Sequence, residues 1–422
     1  MSIDVTEKRF ESDIETFFLS PKGGYTKLAS ADFDRKKGLF FNTFLQFIQT
    51  TQPKQWKRYQ AIHAAGKPEQ ELYKRFDECV RQTGLISVLR KGIEDRGVKF
   101  DIAYFAPASN LNPELTEKYN SNILTCTRQF HYSPDNNNSI DMLLSLNGIP
   151  VVALELKDPL TGQTVDNARH QFMYDREPKE LCFGFNRRIL VYFAVDIYDV
   201  FMTTELKGAD TYFLPFNQGS NGAGNVGGSG NPENPNGYST AYLWEHVLQK
   251  DNLMILLQRY ISIQTDEKIE IKNGIKSKKK TQRIIFPRYH QFDVVEKIID
   301  DCLKNGSGKN YLIQHSAGSG KSNSIAWLTY KLASLYNKDN VLLFSSVIII
   351  TDRKVLDKQL QDTISGFDHK AGLVECIDET KNSQDLKTAI NDGKKIIITT
   401  LQKFPVIFDQ VDDPKGRNFA II

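Results

Sequence analysis

Two carboxylates and a lysine stand where an apolar hairpin has no use for them. Residues 139–160 read SIDMLLSLNGIPVVALELKDPL, two hydrophobic runs around Asn147-Gly148, and they carry Asp141, Glu155 and Lys157. Unpaired charge away from water is expensive, so these groups either sit at a solvated strand end or hold something. Strand alternation across IPVVALELK puts Ala153, Glu155 and Lys157 on one face and Val152, Leu154 and Leu156 on the other. Two carboxylates bind a hard divalent cation, usually Mg²⁺, through oxygen. Such a cation activates water and neutralises charge building on a phosphate, while a lysine beside it positions the nucleophile or stabilises that charge.

Register tests this idea. A strict two-residue turn pairs Leu146 with Ile149 and sets Asp141 opposite Leu154, not Glu155. Convergence needs one more residue in the loop or a bulge, and Pro150, which has no N–H for the ladder, marks the place. The expectation is a hairpin loop longer than two residues, with Asp141 and Glu155 on one face. So placed, the three residues form the D…ExK arrangement of metal-dependent nucleases; the plainer reading is a salt bridge at a strand end. On the first helical segment Phe10, Ile14, Phe17 and Phe18 recur at helical spacing, and Glu11 and Glu15 beside them read as solvated. Gln171 and Tyr174 fall on a polar helical stretch after the motif and are further candidates to hold the site or DNA.

A second chemistry lies downstream. Residues 317–322, AGSGKS, stand between a strand pattern (NYLIQHS) and an amphipathic helix (SNSIAWLTYKLASLY). Gly318, Ser319 and Gly320 let backbone N–H groups curl around phosphates at a helix N-terminus. Lys321 then reaches the β/γ-phosphates of ATP, and the Ser322 hydroxyl ligates Mg²⁺. The full GxxxxGK[ST] pattern is not met, because His315 takes the first glycine position.

These residues need elements to carry them, and 422 residues predict two or three domains. Helical patterns run to about Gly92, followed by short β-rich segments (VKFDIAYFAP, NILTCTRQFHYS, SIDMLLSL, IPVVALELK, RRILVYFAVD). That predicts a mixed α/β domain over 1–260. Within it, the Gly/Asn-rich residues 217–237 read as a surface loop. Residues 261–285, containing KSKKKTQR, read as a solvated basic linker rather than a phosphate-contacting strip. From 286 to 422 helix and strand patterns alternate, as in a parallel α/β sheet. The formal charge of +3, from 54 basic against 51 acidic residues, selects no partner by itself. Five scattered cysteines without CxxC spacing argue against a disulfide framework or a zinc site. The charged start MSIDVTEKRFES lacks a signal segment, and VLLFSSVIII (341–350) is too short for a membrane span. A soluble cytoplasmic protein, with no membrane partner, is expected.

Several strings resemble a known family. The loop with its helicase-type departure, Gln291 in PRYHQFDVVEKII, and the stretches IIITDRKVLDKQLQDTI and IIITTLQKF resemble superfamily 2 helicases. There Gln291 matches an adenine-reading glutamine, and the two stretches match motifs Ia and Ib, which touch the nucleic-acid backbone. Together with RFESDIETFFLSPKGGY, TRQFHYS, NGIPVVALELKDPLTGQ, HQFMYDREP and FPRYHQ, the chain resembles the restriction (R) subunit of type I restriction–modification enzymes. The resemblance implies a PD-(D/E)xK-type nuclease domain followed by an incomplete RecA-like superfamily 2 motor lobe. It implies double-stranded DNA as substrate, Mg²⁺ and ATP as cofactors, and methyltransferase (M) and specificity (S) subunits as partners. Asp141, Glu155, Lys157 and Gln171 match the nuclease positions, with Asp141 and Glu155 as metal ligands. Gln291, Gly318, Ser319, Gly320, Lys321 and Ser322 match the nucleotide positions. Related nucleases carry QxxxY where this chain has QxxY, so Tyr174 departs from the pattern. The family continues past NFAII into a DEAH-type motif and a second lobe, which makes this the N-terminal portion. Two other readings compete: a DNA-gripping motor with an inactive nuclease domain, and a repair nuclease–helicase.

Overall fold

The computed structural model describes residues 7–63, 66–109, 111–222, 225, 228–272, 275–351, 360–361, 363–364, 373–377, 381–403 and 417–422. For Glu7, 268–272 and 275–279 it describes the backbone alone. The chain divides into two compact units, Met1–Ala106 with Pro113–Arg288, and Pro107–Asn112 with Tyr289–Ile422.

The first unit opens with α1 (Glu7–Leu19), whose Phe10, Ile14 and Phe18 are buried at the predicted spacing. After the short β1 (Thr26–Lys27) come α2 (Phe41–Thr51), α3 (Pro53–Ile62), α4 (Pro68–Thr83) and α5 (Leu85–Lys91). The hairpin β2–β3 (Ile93–Asp95, Val98–Phe100) and α6 (Pro113–Asn120) lead into the main sheet. Its strands are β4 (Leu124–His131), β5 (Ser139–Leu146), β6 (Ile149–Leu156), then, after α7 (Val165–His170), β7 (Val191–Val195), β8 (Val200–Thr203) and β9 (Leu214–Pro215). With β1 they make a seven-stranded mixed sheet, order β1-β4-β5-β6-β7-β8-β9. A buried core joins Phe130, Ile140, Leu143, Ala153 and Tyr192 of the sheet to Phe33, Phe40 and, from the α7 region, Val165, Ala168 and Phe172. A capping box at Thr164 starts α7, and the Asp196 carboxylate accepts the Val165 N–H at 2.8 Å, tying that helix start to the end of β7. A π-helical turn, Gln171–Asp175, continues α7.

The expected long hairpin loop between β5 and β6 is absent. Leu146 pairs with Ile149 across a two-residue turn in which Asn147 and Gly148 have φ of 52° and 81°, the left-handed pair of a type I′ turn. The register shifts one step later: Ser145 pairs with Pro150 but Leu144 with Val152, so Val151 is the extra residue of a bulge. The predicted convergence is thus delivered by the bulge beside the proline.

After α8 (Lys250–Ile255), the segment expected as a solvated linker is instead an antiparallel hairpin, β10 (Ser262–Lys272) and β11 (Ile275–Ile285). Opposite charges face across it, Lys280 on Glu267 and Arg283 on Asp266, the cross-strand pairing that supports such ribbons.

In the second unit α9 (Tyr289–Asn305) and α10 (Lys321–Ala333) accompany a four-stranded, wholly parallel sheet. Its strands are β12 (Ser346–Thr351), β13 (Val374–Cys376), β14 (Ile396–Thr400) and β15 (Phe419–Ile421), in the order β13-β14-β12-β15. The NYLIQHS segment, expected as a strand, forms none: Leu312 is 94 % exposed, and a gap of about 600 Å³ separates Tyr311 and Ile313 from β15 and α10. Without a neighbour at ladder distance the apolar run has nothing to pair with. Much of the predicted motif Ia, 352–359 above all, and the last residue of motif Ib, Phe404, lie outside the described residues. Among the described residues no helix is long and apolar enough to cross a membrane.

Candidate active site

The bulge sets the geometry. Past it, Met142 pairs with Leu154, and the same register carried one step on sets Asp141 opposite Glu155. Asp141 Oδ2 accepts the Leu156 N–H at 2.7 Å, which fixes the carboxylate against β6. Lys157 Nζ lies 3.5 Å from that same oxygen and donates to the Leu156 carbonyl at 2.9 Å. The three residues predicted to act together are brought together.

Glu155 is fully buried. Burial first, and then the neighbouring Asp141 charge, push its carboxyl well above the ordinary carboxylate range; the Arg176 guanidinium works against both. Arg176 donates to Glu155 Oε1 through Nε (3.0 Å) and Nη2, and to the Ser139 carbonyl at 2.7 Å. Glu155 Oε2 is buried with no hydrogen-bond partner among the described residues, and so is Gln171 Oε1. A buried bare carboxylate oxygen is costly. A hard cation between β5 and β6 is the kind of group that satisfies it, so the donor set fits a divalent ion. No third His, Cys, Asp or Glu joins these two around one point among the described residues.

In front of Asp141 lies an open cleft of about 1020 Å³, lined also by Lys157, Gln171 and Arg176 and by Glu11, Arg128 and Gln129 from α1 and β4; Glu155, fully buried, lies behind this lining. Glu11 and Glu15, expected as solvated, are 3 % and 7 % exposed. Arg128 explains it: its Nη2 lies 2.8 Å from Glu11 Oε2 and its Nη1 3.4 Å from Glu15 Oε2. Tyr174, one turn beyond Gln171, is 57 % exposed, stacks near His170 and does not line the cleft.

In the second unit Gly318 and Gly320 take φ of 74° and 81°, turning the loop before α10. Lys321 Nζ donates to the carbonyls of His315 (3.1 Å) and Ser316 (2.9 Å), so the ammonium sits over its own loop. Ser319 Oγ is buried without a partner among the described residues. Gln291, expected to read a base, is buried and donates to the Ser319 and Gly320 carbonyls at 3.1 and 2.9 Å. A Cβ at Gly320 would stand 2.4 Å from its amide and would have to accept a φ of 81°, so a substitution there is strained.

Residues 34–211 match the family described as type I restriction enzyme R protein N terminus, and residues 290–419 match the SWI2/SNF2 ATPase family. The chain belongs to the R-protein family of type I restriction enzymes. A candidate type I restriction enzyme endonuclease subunit of Methanocaldococcus jannaschii is 25 % identical over 281 residues, covering 65 % of this chain and 24 % of that protein. A type I restriction enzyme endonuclease subunit of Staphylococcus saprophyticus is 23 % identical over 264 residues, covering 62 % of this chain and 24 % of its own. One from Staphylococcus aureus is 30 % identical over 125 residues, 29 % of this chain and 12 % of that protein. The chain spans about a quarter of the length of the first two of these relatives.

For this R-protein chain, sequence reasoning missed Arg128, Gln129 and Arg176 as cleft residues. Arginine and glutamine on strands and loops carry no spacing signal of their own. Only the buried carboxylates they meet single them out.

Proposed function

We propose that this chain is the nuclease-bearing part of a type I restriction subunit: a Mg²⁺-dependent double-stranded DNA endonuclease coupled, in the whole protein, to ATP-driven translocation. The observation that supports it best is the bulge at Val151, which aligns Asp141 with Glu155 and leaves Glu155 Oε2 buried and bare. Asp141 and Glu155 would hold the divalent ion, which supplies Lewis-acid stabilisation of the phosphate and an acidified water. Lys157, 3.5 Å from Asp141, places a positive charge beside the cleft where a phosphodiester's developing charge needs it. Gln171 lines the cleft, and its Oε1, buried without a partner among the described residues, would serve as a further acceptor behind the ion. Ser319, Gly320, Lys321 and Ser322 would take the phosphates of ATP and its Mg²⁺, with Gln291 bracing the loop from behind. Partner M and S subunits and a cytoplasmic setting follow from this reading.

One feature favours a second reading, a DNA-gripping module without cutting. Arg176 already neutralises Glu155 Oε1, as a cation would. Nicking of supercoiled plasmid with Mg²⁺ separates the two. Cutting that disappears in Glu155→Ala supports the endonuclease; equal residual cutting in both proteins leaves only the gripping module.

A further inference from the structure

Consecutive residues of a β-strand point to opposite faces, yet Arg128 and Gln129 of β4 grip the same carboxylate. Arg128 donates to Glu11 Oε2 through Nε and Nη2, and Gln129 Nε2 donates to Glu11 Oε1 at 2.9 Å. The backbone shows how. Gln129 has φ of 47°, a left-handed conformation at a residue that is neither glycine nor asparagine. No bulge accounts for it, because Arg128 pairs with Met142 and Phe130 with Ile140; the register is the same on both sides, and Gln129 and Asp141, not themselves paired, fall at facing positions between them. A non-glycine residue kept in that conformation within a strand is over-determined by its surroundings, and such strain gathers at functional sites.

The Gln129 side chain meets three groups of the cleft wall. Its Nε2 donates to Glu11 and lies 3.5 Å from Asp141 Oδ1, and its Oε1 accepts the Ser139 hydroxyl at 3.1 Å. One uncharged amide thus stands between two carboxylates from different elements, α1 and β5. We infer that Gln129 is a positioning residue: its turned backbone aims an amide donor at Asp141 Oδ1, holding that carboxylate where it shares a divalent ion with Glu155. This rests on the metal-site reading above. It adds that the left-handed residue is retained for the ion and not for the fold.

Mn²⁺ titration by calorimetry, with thermal unfolding of the same proteins, tests it. Gln129→Gly accepts the left-handed backbone and deletes the amide. Gln129→Asn tolerates the same backbone but is one methylene too short. Both variants are expected to bind Mn²⁺ roughly tenfold more weakly, the scale of one hydrogen bond to a charged group, while the unfolding temperature falls only by the loss of the Gln129 bond to Glu11, offset in Gln129→Gly by relief of the left-handed backbone. In an Asp141→Asn background the Gln129→Gly change is expected to have no further effect on Mn²⁺. Wild-type Mn²⁺ affinity in Gln129→Gly, alongside lost affinity in Asp141→Asn, would overturn the positioning role alone. A wild type that binds Mn²⁺ no better than Asp141→Asn would overturn the metal reading and this inference with it.

Discussion

At the scale of single residues the proposed metal site turns on one buried carboxyl. Glu155 is held above its ordinary range by burial and by Asp141, so cation uptake must displace a proton. Between the ordinary carboxylate value and the raised one, apparent Mn²⁺ affinity is expected to climb with pH, approaching tenfold per unit, and to level off above. An affinity that stays flat from about pH 5 to about pH 8 would contradict this. Arg176→Met tests the other half of the balance. Removing one partner of a buried pair costs roughly 3–5 kcal/mol when the remaining charge is trapped. Here Glu155 has an escape, because it can keep a proton in the fold that the unfolded chain releases. Its folded-state pKa rises further without Arg176, and a raised carboxyl loses stability as pH climbs above its unfolded value. Both proteins lose this stability in parallel until the wild-type carboxyl ionises, so the extra destabilisation should appear above that point and grow with pH in urea unfolding; an extra loss independent of pH even where wild-type Glu155 is ionised would rule the linkage out.

At the scale of elements the β5–β6 hairpin does the positioning. Asn147 fixes its tip: Oδ1 accepts the Ile123 N–H at 2.7 Å, and Nδ2 donates to the Ile102 carbonyl at 2.9 Å and Asn122 Oδ1 at 3.0 Å. Asn147→Ala removes these buried bonds and meets the left-handed φ, so a loss on the order of 3 kcal/mol is expected from chemical unfolding. Tip and bulge act in series, because a one-residue slip in either would turn Glu155 to the opposite face. The π-helical turn after α7 belongs to the same assembly, since it places Gln171 on the cleft and leaves Tyr174 outside.

At the scale of the molecule, each unit has its own apolar core, around Phe130 and Tyr192 in the first and around Ile348 and Ile397 in the second. A ligand of one unit should then stabilise that unit by mass action, about 2.7 kcal/mol at a hundredfold excess over Kd. Mg-ATP is expected to raise a thermal transition that Lys321→Ala removes, with Mn²⁺ binding in the first unit unchanged. Loss of Mn²⁺ binding in Lys321→Ala would show the two sites to be coupled.

Read as a string, the chain already marked its two candidate sites. Alternation set Glu155 near Lys157, the glycines and the helical pattern after them marked AGSGKS, and the 3.6-residue period placed Phe10, Ile14 and Phe18 in the core. These are local patterns, and local patterns survive in one dimension. The bulge at Val151, the burial of Glu11 and Glu15 under Arg128, and the Arg176 clamp on Glu155 were decided only by tertiary structure. Each depends on groups brought together from distant parts of the chain or on a one-residue choice between loop and ladder. The failed NYLIQHS strand shows the same rule in reverse: β propensity lies in the residues, but a strand exists only where a neighbour offers its hydrogen bonds.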